Sequence, residues 1–503
     1  LSRFLTFFCV LLLALPGSNG FARDQLPDAD RAPLQAEGGG RDNPVNQDGG
    51  ALRLPDIGDP AGRTLSVSQE RRLGESLIRE VRQRVPLSDD PELRHYIQDL
   101  GNRLLSQVEG PDFAFEFFVV ESSAINAFAM PGGYIGINSG LIMRSQSESE
   151  LAAVMAHEIA HVTQRHIARS LDASRGSGLR TLGIIMAAIL LGMQDPEAGS
   201  AAVMAGVAGS IQDQINYTRA HEREADNIGI RILAGAGLDP QGMPRFFERL
   251  DQATQYMERP PEFLSTHPVT QSRIADSRAR AQSYGQVEAN ESAMFGFMRA
   301  RLIAARAESP ESAERHFRAA ADNGQASADA RYGLALALIK QNKGKEARQL
   351  LEKLLESEGE HVPFYIALGH AQRVAGNHEE SRNILRLGLT LFPENYPLTV
   401  ELANALIQDD KPDEARELVR RHLQRHGPDV HLYRLHGQSA ALAGRPHEGK
   451  MAMAEYYQMN GQLRLAVDQL NQVVDASDAE ISDRSRAVSR RQELTRLFEA
   501  RDR

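Results

Sequence analysis

The chain has 503 residues, enough for several domains and a substantial core. Its 57 Lys and Arg against 67 Asp and Glu leave a formal net charge of -10, which argues against a nucleic-acid partner, because phosphate binding needs clustered positive charge. Cys9 is the single cysteine, so an internal disulfide and a cysteine-rich zinc or iron–sulfur module are excluded; any metal must be held by His and carboxylates.

Arg3 precedes an apolar run over residues 4–15, and Pro16, Gly17 and small residues up to Ala22 follow. This order predicts a secretory signal peptide over 1–22, cleaved after Ala22. The run is shorter than the roughly 20 residues of a membrane span; an uncleaved anchor is the alternative. Cleavage would leave a mature chain without cysteine, which suits an oxidising compartment. Residues 23–62 are rich in Asp, Pro and Gly without helical or strand period and are expected to be a flexible leader.

From about Ser68 the pattern is helical, with Leu73, Leu77, Ile78 and Val81 on one face, then Leu93, Tyr96, Ile97, Leu100 and Leu104 after a turn. Residues 113–120 alternate and read as a strand, and 129–137, containing Pro131-Gly132-Gly133, as a second strand or hairpin. Asn126, Ala127 and Gly133 mark a segment that would either pair, as an edge strand, with an extended substrate or serve as a plain hairpin. Ser147 or Ser149 would cap a helix through Leu151, Val154, Met155, Ile159 and Val162. Within 182–208 two apolar stretches flank Gln194-Asp195-Pro196-Glu197; each is too short to span a bilayer. A buried helical hairpin is expected there, the sharper alternative being a mobile flap in peripheral contact with a membrane or a client.

Beyond Ser309, small residues recur at Ala313, Ala347, Ser381, Ala415 and Gly449, each 34 residues apart. Ala335, Gly369, Ala403 and Gly437 lie 12 residues before the last four of these. A 34-residue period with two small phases is the signature of tetratricopeptide repeats, whose paired helices approach closely only at small side chains. Ala454 and Ala466 repeat the offset out of phase, predicting an irregular last unit or cap.

His157-Glu158-Ile159-Ala160-His161 is an HExxH motif inside the apolar-periodic helix. The i, i+4 spacing places both imidazoles on one face, able to share one zinc ion, with Glu158 positioned to take a proton from water. A third ligand is needed. Glu222 fits, and Asp226, one turn on, can accept the second N–H of His157 and fix its tautomer. Glu224 and His221 are the rival ligands; His221 would point about 100° away on the helix. Arg219 shares the face of Glu222 and would either steady an oxyanion or form a surface salt bridge, while His166 reads as polar surface.

Asn126-Ala127-Phe128-Ala129-Met130-Pro131-Gly132-Gly133, Met155-Ala156-His157-Glu158-Ile159-Ala160-His161-Val162 and Glu222-Arg223-Glu224-Ala225-Asp226 together resemble the HtpX-like gluzincin peptidases. Leu54-Pro55-Asp56-Ile57-Gly58, His267-Pro268 and the C-terminal repeats narrow the likeness to periplasmic members of that family. The resemblance implies a mainly α fold: a gluzincin-type metallopeptidase domain with a small β-sheet over 63–285, followed by an α-solenoid of tetratricopeptide repeats over 290–503. It implies one Zn²⁺ per chain on His157, His161 and Glu222, with Glu158 as base; Asp226, read from its spacing, is expected beside Glu158 as the second catalytic carboxylate. It further implies that His267 can take zinc's fourth position and inhibit the enzyme; Pro268 favours an extended His267, suited to reaching from a loop.

The resulting expectation is a periplasmic endopeptidase, associated with the outer membrane. Peptide substrates, outer-membrane β-barrel clients and the barrel-assembly machinery would be its partners, with clients held by the repeats. The alternative is a chaperone or adaptor whose metal site is mainly latent.

Overall fold

The computed structural model describes residues 65–111, 113–173, 211–254, 261–285, 287–322 and 327–501. The expected signal peptide, the leader, and the hairpin or flap of 182–208 lie outside these residues.

Helix α1 (Val67–Arg84) starts at a capping box formed by Ser66 and Gln69, and α2 (Pro91–Leu105) starts where the Asp90 carboxylate accepts from the amides of Glu92 and Leu93. The sheet has three strands in the order β1 (Glu116–Val120), β3 (Tyr134–Asn138), β2 (Ala127–Met130), with β1 parallel and β2 antiparallel to β3. The strand expected from residue 113 begins only at Glu116, although Phe113 is buried. The second strand signal resolves into the β2–β3 hairpin. Its turn needs glycine: Gly132 and Gly133 have φ of 82° and 92°, and a Cβ at Gly133 would lie 2.6 Å from the Ala114 carbonyl oxygen.

After α3 (Ser139–Arg144), Ser147 caps α4 (Glu148–Thr163) by accepting from the Glu150 amide. This helix is buried on nearly every side, so its polar residues enter a dry core. Around it lie α2, the sheet, α5 (His166–Ala173), α6 (Ile211–Gly235) and α7 (Gly242–Thr254). A single turn, α8 (Phe263–Thr266), and α9 (Gln271–Gln282) complete this half.

The second half begins with α10 (Ala293–Arg306) and α11 (Pro310–Asp322). Four helix pairs follow: α12 (Ala328–Lys340) with α13 (Gly344–Glu358), α14 (Val362–Val374) with α15 (His378–Leu391), α16 (Tyr396–Gln408) with α17 (Pro412–His426), and α18 (Val430–Leu442) with α19 (Pro446–Met459). Their first helices start at residues 328, 362, 396 and 430 and their second at 344, 378, 412 and 446, so the 34-residue period is structural. Helices α20 (Leu463–Val474) and α21 (Ile481–Arg501) break the period and close the array over Ala454 and Ala466.

The two halves share an apolar core. Phe297 packs edge-to-face on Tyr332 and Phe364, with centroids 5.5 and 4.9 Å away, and the same cluster continues to Ile159 beside the HExxH motif. Among the described residues no helix is long and apolar enough to cross a membrane.

The small residues stand where paired helices touch. A Cβ at Gly449 would lie 2.9 Å from the Gly437 carbonyl oxygen and 3.2 Å from the Ala441 amide nitrogen. Gly449→Leu is therefore expected to destabilise this pair by about 1–3 kcal/mol. Hydrogen exchange should show lost protection in α18 and α19 but not in α4; unchanged protection in α18 would refute the close-approach argument.

Candidate metal centre

Helix α4 sets His157 and His161 one turn apart, facing α6. On α6, Glu222, Asp226 and Gly229 fall on one face, at i, i+4 and i+7. Gly229 lets the two helices meet backbone to backbone, since a Cβ there would lie 3.2 Å from the His157 amide nitrogen.

Four donors converge at this crossing. The Nε2 atoms of His157 and His161 are 3.0 Å apart, and Glu222 places Oε2 at 3.4 Å from the first and Oε1 at 3.4 Å from the second. The fourth is Nδ1 of His267, 3.3 Å from His157 Nε2 and 3.1 Å from both oxygens of Glu222. A tetrahedral metal with bonds of 2.0–2.1 Å has ligand–ligand edges of about 3.3 Å. The four residues therefore fit a tetrahedral divalent cation in spacing and donor type.

The surrounding carboxylates are buried. Asp226 Oδ1 lies 3.0 Å from His157 Nδ1, which turns Nε2 toward the cluster. Glu158 is 1% exposed; its Oε1 has no hydrogen bond among the described residues and lies 3.4 Å from His267 Nε2. His267 thus stands between the expected base and the other three donors. It closes the single turn α8, where its amide donates to the Phe263 carbonyl, and its ring stacks on Phe263.

Charge explains the protonation pattern. Burial disfavours the Glu222 carboxylate, yet His267, His157 and His161 hold it well below the usual carboxylate range. Burial alone would also lower His157, but the Asp226 and Glu222 carboxylates beside it more than reverse this and lift it to about 9. His161, with less carboxylate support, is pushed down by burial to about 4. Carboxylate support therefore separates the two imidazoles, favouring a proton on His157 over one on His161.

Two groups escaped the sequence reading. Arg273 on α9 forks onto Asp226, with Nε 2.8 Å from Oδ2 and Nη2 2.7 Å from Oδ1. Its Nη1 lies 2.9 Å from Glu222 Oε2 and donates to the Pro268 carbonyl at 2.8 Å. One buried guanidinium therefore fixes both carboxylates and the chain just after His267. The second group is His166, expected as polar surface but 3% exposed, because it packs between His161 and α6. Of the rival ligands, Glu224 faces His166 and His221 stacks on it, and neither joins the four-donor cluster. Arg219 is exposed.

The expected substrate edge has a neighbour of its own. Asn126 Nδ2 donates to Glu262 Oε1 at 3.0 Å and the Phe263 amide to the Ile125 carbonyl at 3.2 Å, so the segment carrying His267 is tied to the start of β2. Gly133 lies at the far end of the hairpin.

Two imidazoles of an HExxH helix converging with Glu222 and His267, and the buried Glu158 beside them, are the donor set and base of a metallopeptidase. Residues 91–281 match peptidase family M48, and residues 304–368 and 372–438 match the tetratricopeptide repeat. The chain is 37% identical over 421 residues to the β-barrel assembly-enhancing protease of Escherichia coli (strain K12), covering 83% of this chain and 86% of that one. It is 34% identical over 450 residues to the protein of that name from Yersinia pestis, covering 89% and 92%. A shorter likeness, 30% over 179 residues (36% of this chain and 50% of the other), is to the mitochondrial metalloendopeptidase OMA1 of Schizosaccharomyces pombe. The chain belongs to the family of β-barrel assembly-enhancing proteases within peptidase family M48 and is a metalloendopeptidase.

Arg273→Gln removes the buried counter-charge of Glu222 and Asp226. It is expected to weaken metal retention about 10–100-fold in a chelator titration, the scale for an outer-shell partner. It should also cost about 3–5 kcal/mol of stability in a denaturant titration, because two carboxylates lose their partner. Wild-type metal retention in a folded Arg273→Gln variant would contradict this role.

Proposed function

We propose that this protein is an exported, periplasmic zinc endopeptidase that degrades misfolded or stalled outer-membrane β-barrel proteins or assists their assembly. Its repeats would hold such clients, or the barrel-assembly machinery, near the site. The names of its relatives support the substrate class, and the signal-like pattern over 1–22 supports export. The observation that carries the catalytic reading is the set of donor spacings among His157, His161 and Glu222, each near a tetrahedral edge.

These three residues would hold one Zn²⁺. A bound zinc would polarise the scissile carbonyl and make water easier to deprotonate. Glu158, buried beside the donors, accepts the proton and returns it to the leaving amine. Asp226 keeps His157 in the tautomer that offers Nε2, with Arg273 holding Asp226 in place. The outer strand β2 would align an extended substrate at Asn126 and Ala127 by main-chain pairing, with Gly133 shaping the hairpin turn.

In the proposed resting state His267 supplies the fourth donor, where substrate or water must enter, so the enzyme is latent until a client or partner draws α8 away. This same contact favours a second reading, a chaperone or adaptor whose metal site is seldom used.

Glu158→Gln is expected to keep its zinc and lose about 10²–10⁴-fold in client proteolysis, the general-base contribution; Glu222→Ala should lose the metal itself. Comparable proteolysis by Glu158→Gln and wild type would sink the assignment of the base.

His267→Ala should raise basal proteolysis and self-cleavage while zinc stays bound, and adding Glu158→Gln should silence it again. An unchanged basal rate in His267→Ala means that His267 is not the latch.

A further inference from the structure

The two imidazoles of the HExxH motif are supported differently. His157 Nδ1 meets a carboxylate directly, Asp226 Oδ1 at 3.0 Å. His161 Nδ1 meets another imidazole: it lies 2.9 Å from Nδ1 of His166, whose Nε2 lies 3.2 Å from Glu224 Oε2. Glu224 is itself anchored, accepting from Arg169 Nη1 at 3.0 Å, and about a third of its side chain is exposed.

Resting on the zinc-peptidase reading above, we propose that His166 and Glu224 are positioning residues, a two-member relay that fixes the tautomer and orientation of His161. The hydrogen bonds allow one consistent arrangement once His161 offers Nε2 to a metal. Its Nδ1 then carries the ring proton and donates. His166 Nδ1 must accept, which puts the proton of neutral His166 on Nε2, where it donates to Glu224. A carboxylate thus acts on His161 through an intervening ring, as Asp226 acts on His157 without one. Removing His166 leaves the Nδ1–H of the partly buried His161 without this acceptor.

The local fold is arranged to present His166. Along a continued helix it would stand about 140° from His161, since five residues turn through 500°. Arg165 breaks α4 with φ of 52°, a left-handed conformation that costs energy in a residue with a side chain. The buried Arg165 guanidinium secures the turn, with Nε 3.2 Å from Glu70 Oε2 and Nη2 donating to the Leu65 carbonyl at 2.5 Å. His166 then stacks flat on His221, with centroids 4.1 Å apart and planes at 8°, so its ring is held in one plane.

The test compares zinc affinity of the full-length protein, by competition with a chromophoric chelator, in His166→Phe, His166→Gln, Glu224→Ala and Glu224→Gln. Circular dichroism melts without metal report whether each variant folds. His166→Phe has no acceptor and should bind zinc about 10–100-fold more weakly. His166→Gln, whose amide oxygen can accept, should recover most of the loss. Substituted Co²⁺ should show a shifted visible spectrum in His166→Phe and a nearly wild-type one in His166→Gln. Should His166→Phe not fold, Glu224 decides: Glu224→Ala should weaken zinc binding, and Glu224→Gln, which keeps an acceptor oxygen, should not. Wild-type affinity in folded His166→Phe overturns the relay, as does equal weakening in the Phe and Gln variants, which would indicate packing. Zinc retention by Glu222→Ala would instead overturn the reading on which the relay rests.

Discussion

The structure around α4 depends on a balance of buried charge. Glu158, Glu222 and Asp226 are each no more than 4% exposed, and Arg273 is equally buried beside them. Three carboxylates gathered around one guanidinium in a dry core are a costly arrangement unless a further positive charge joins them. A divalent cation on His157, His161 and Glu222 would supply it; a proton on His157 supplies part, in line with the rise of that imidazole to about 9. The helix crossing at Gly229, the fork of Arg273 and the approach of His267 all serve this cluster.

The repeats are part of the same packing problem. The first repeats share the apolar core that surrounds the HExxH helix. Arg301 on α10 lies 2.6 Å from both Asp90 and Glu92 at the start of α2, and Tyr332 joins this network. Farther along, Arg94 on α2 donates to Tyr396 at 2.7 Å and lies 3.4 Å from Asp429, while Arg82 on α1 donates to the Met459 carbonyl at 3.0 Å. Helices α1 and α2 therefore occupy a face of the repeat array. A client held by the repeats must use another face or compete with these contacts, which ties the position of the repeats to the peptidase half.

Much of this was legible because it follows from local spacing. HExxH at i, i+4, Glu222 and Asp226 at i, i+4, and small residues every 34 positions each encode a face of a helix, and the helices formed with those faces inward. Arg273 was not legible. Its role depends on α9 reaching a carboxylate 47 residues away in sequence, and an arginine in a polar helix carries no local mark of burial. His166 was misread for a different reason. Helical periodicity turns it away from His161, and only the left-handed Arg165 turns it back. The hairpin was visible in Pro131-Gly132-Gly133, but its tie to Glu262 and Phe263 arises from tertiary docking that alternation along a strand does not encode.

The central claim is a single zinc held by His157, His161 and Glu222, with His267 in the fourth position at rest. X-ray absorption at the zinc edge of the purified full-length protein tests it most directly. The account predicts four light ligands at about 2.0–2.1 Å, with multiple-scattering features of three imidazoles that fall to two in His267→Ala. Two imidazoles in the wild type, unchanged by that substitution, would contradict it.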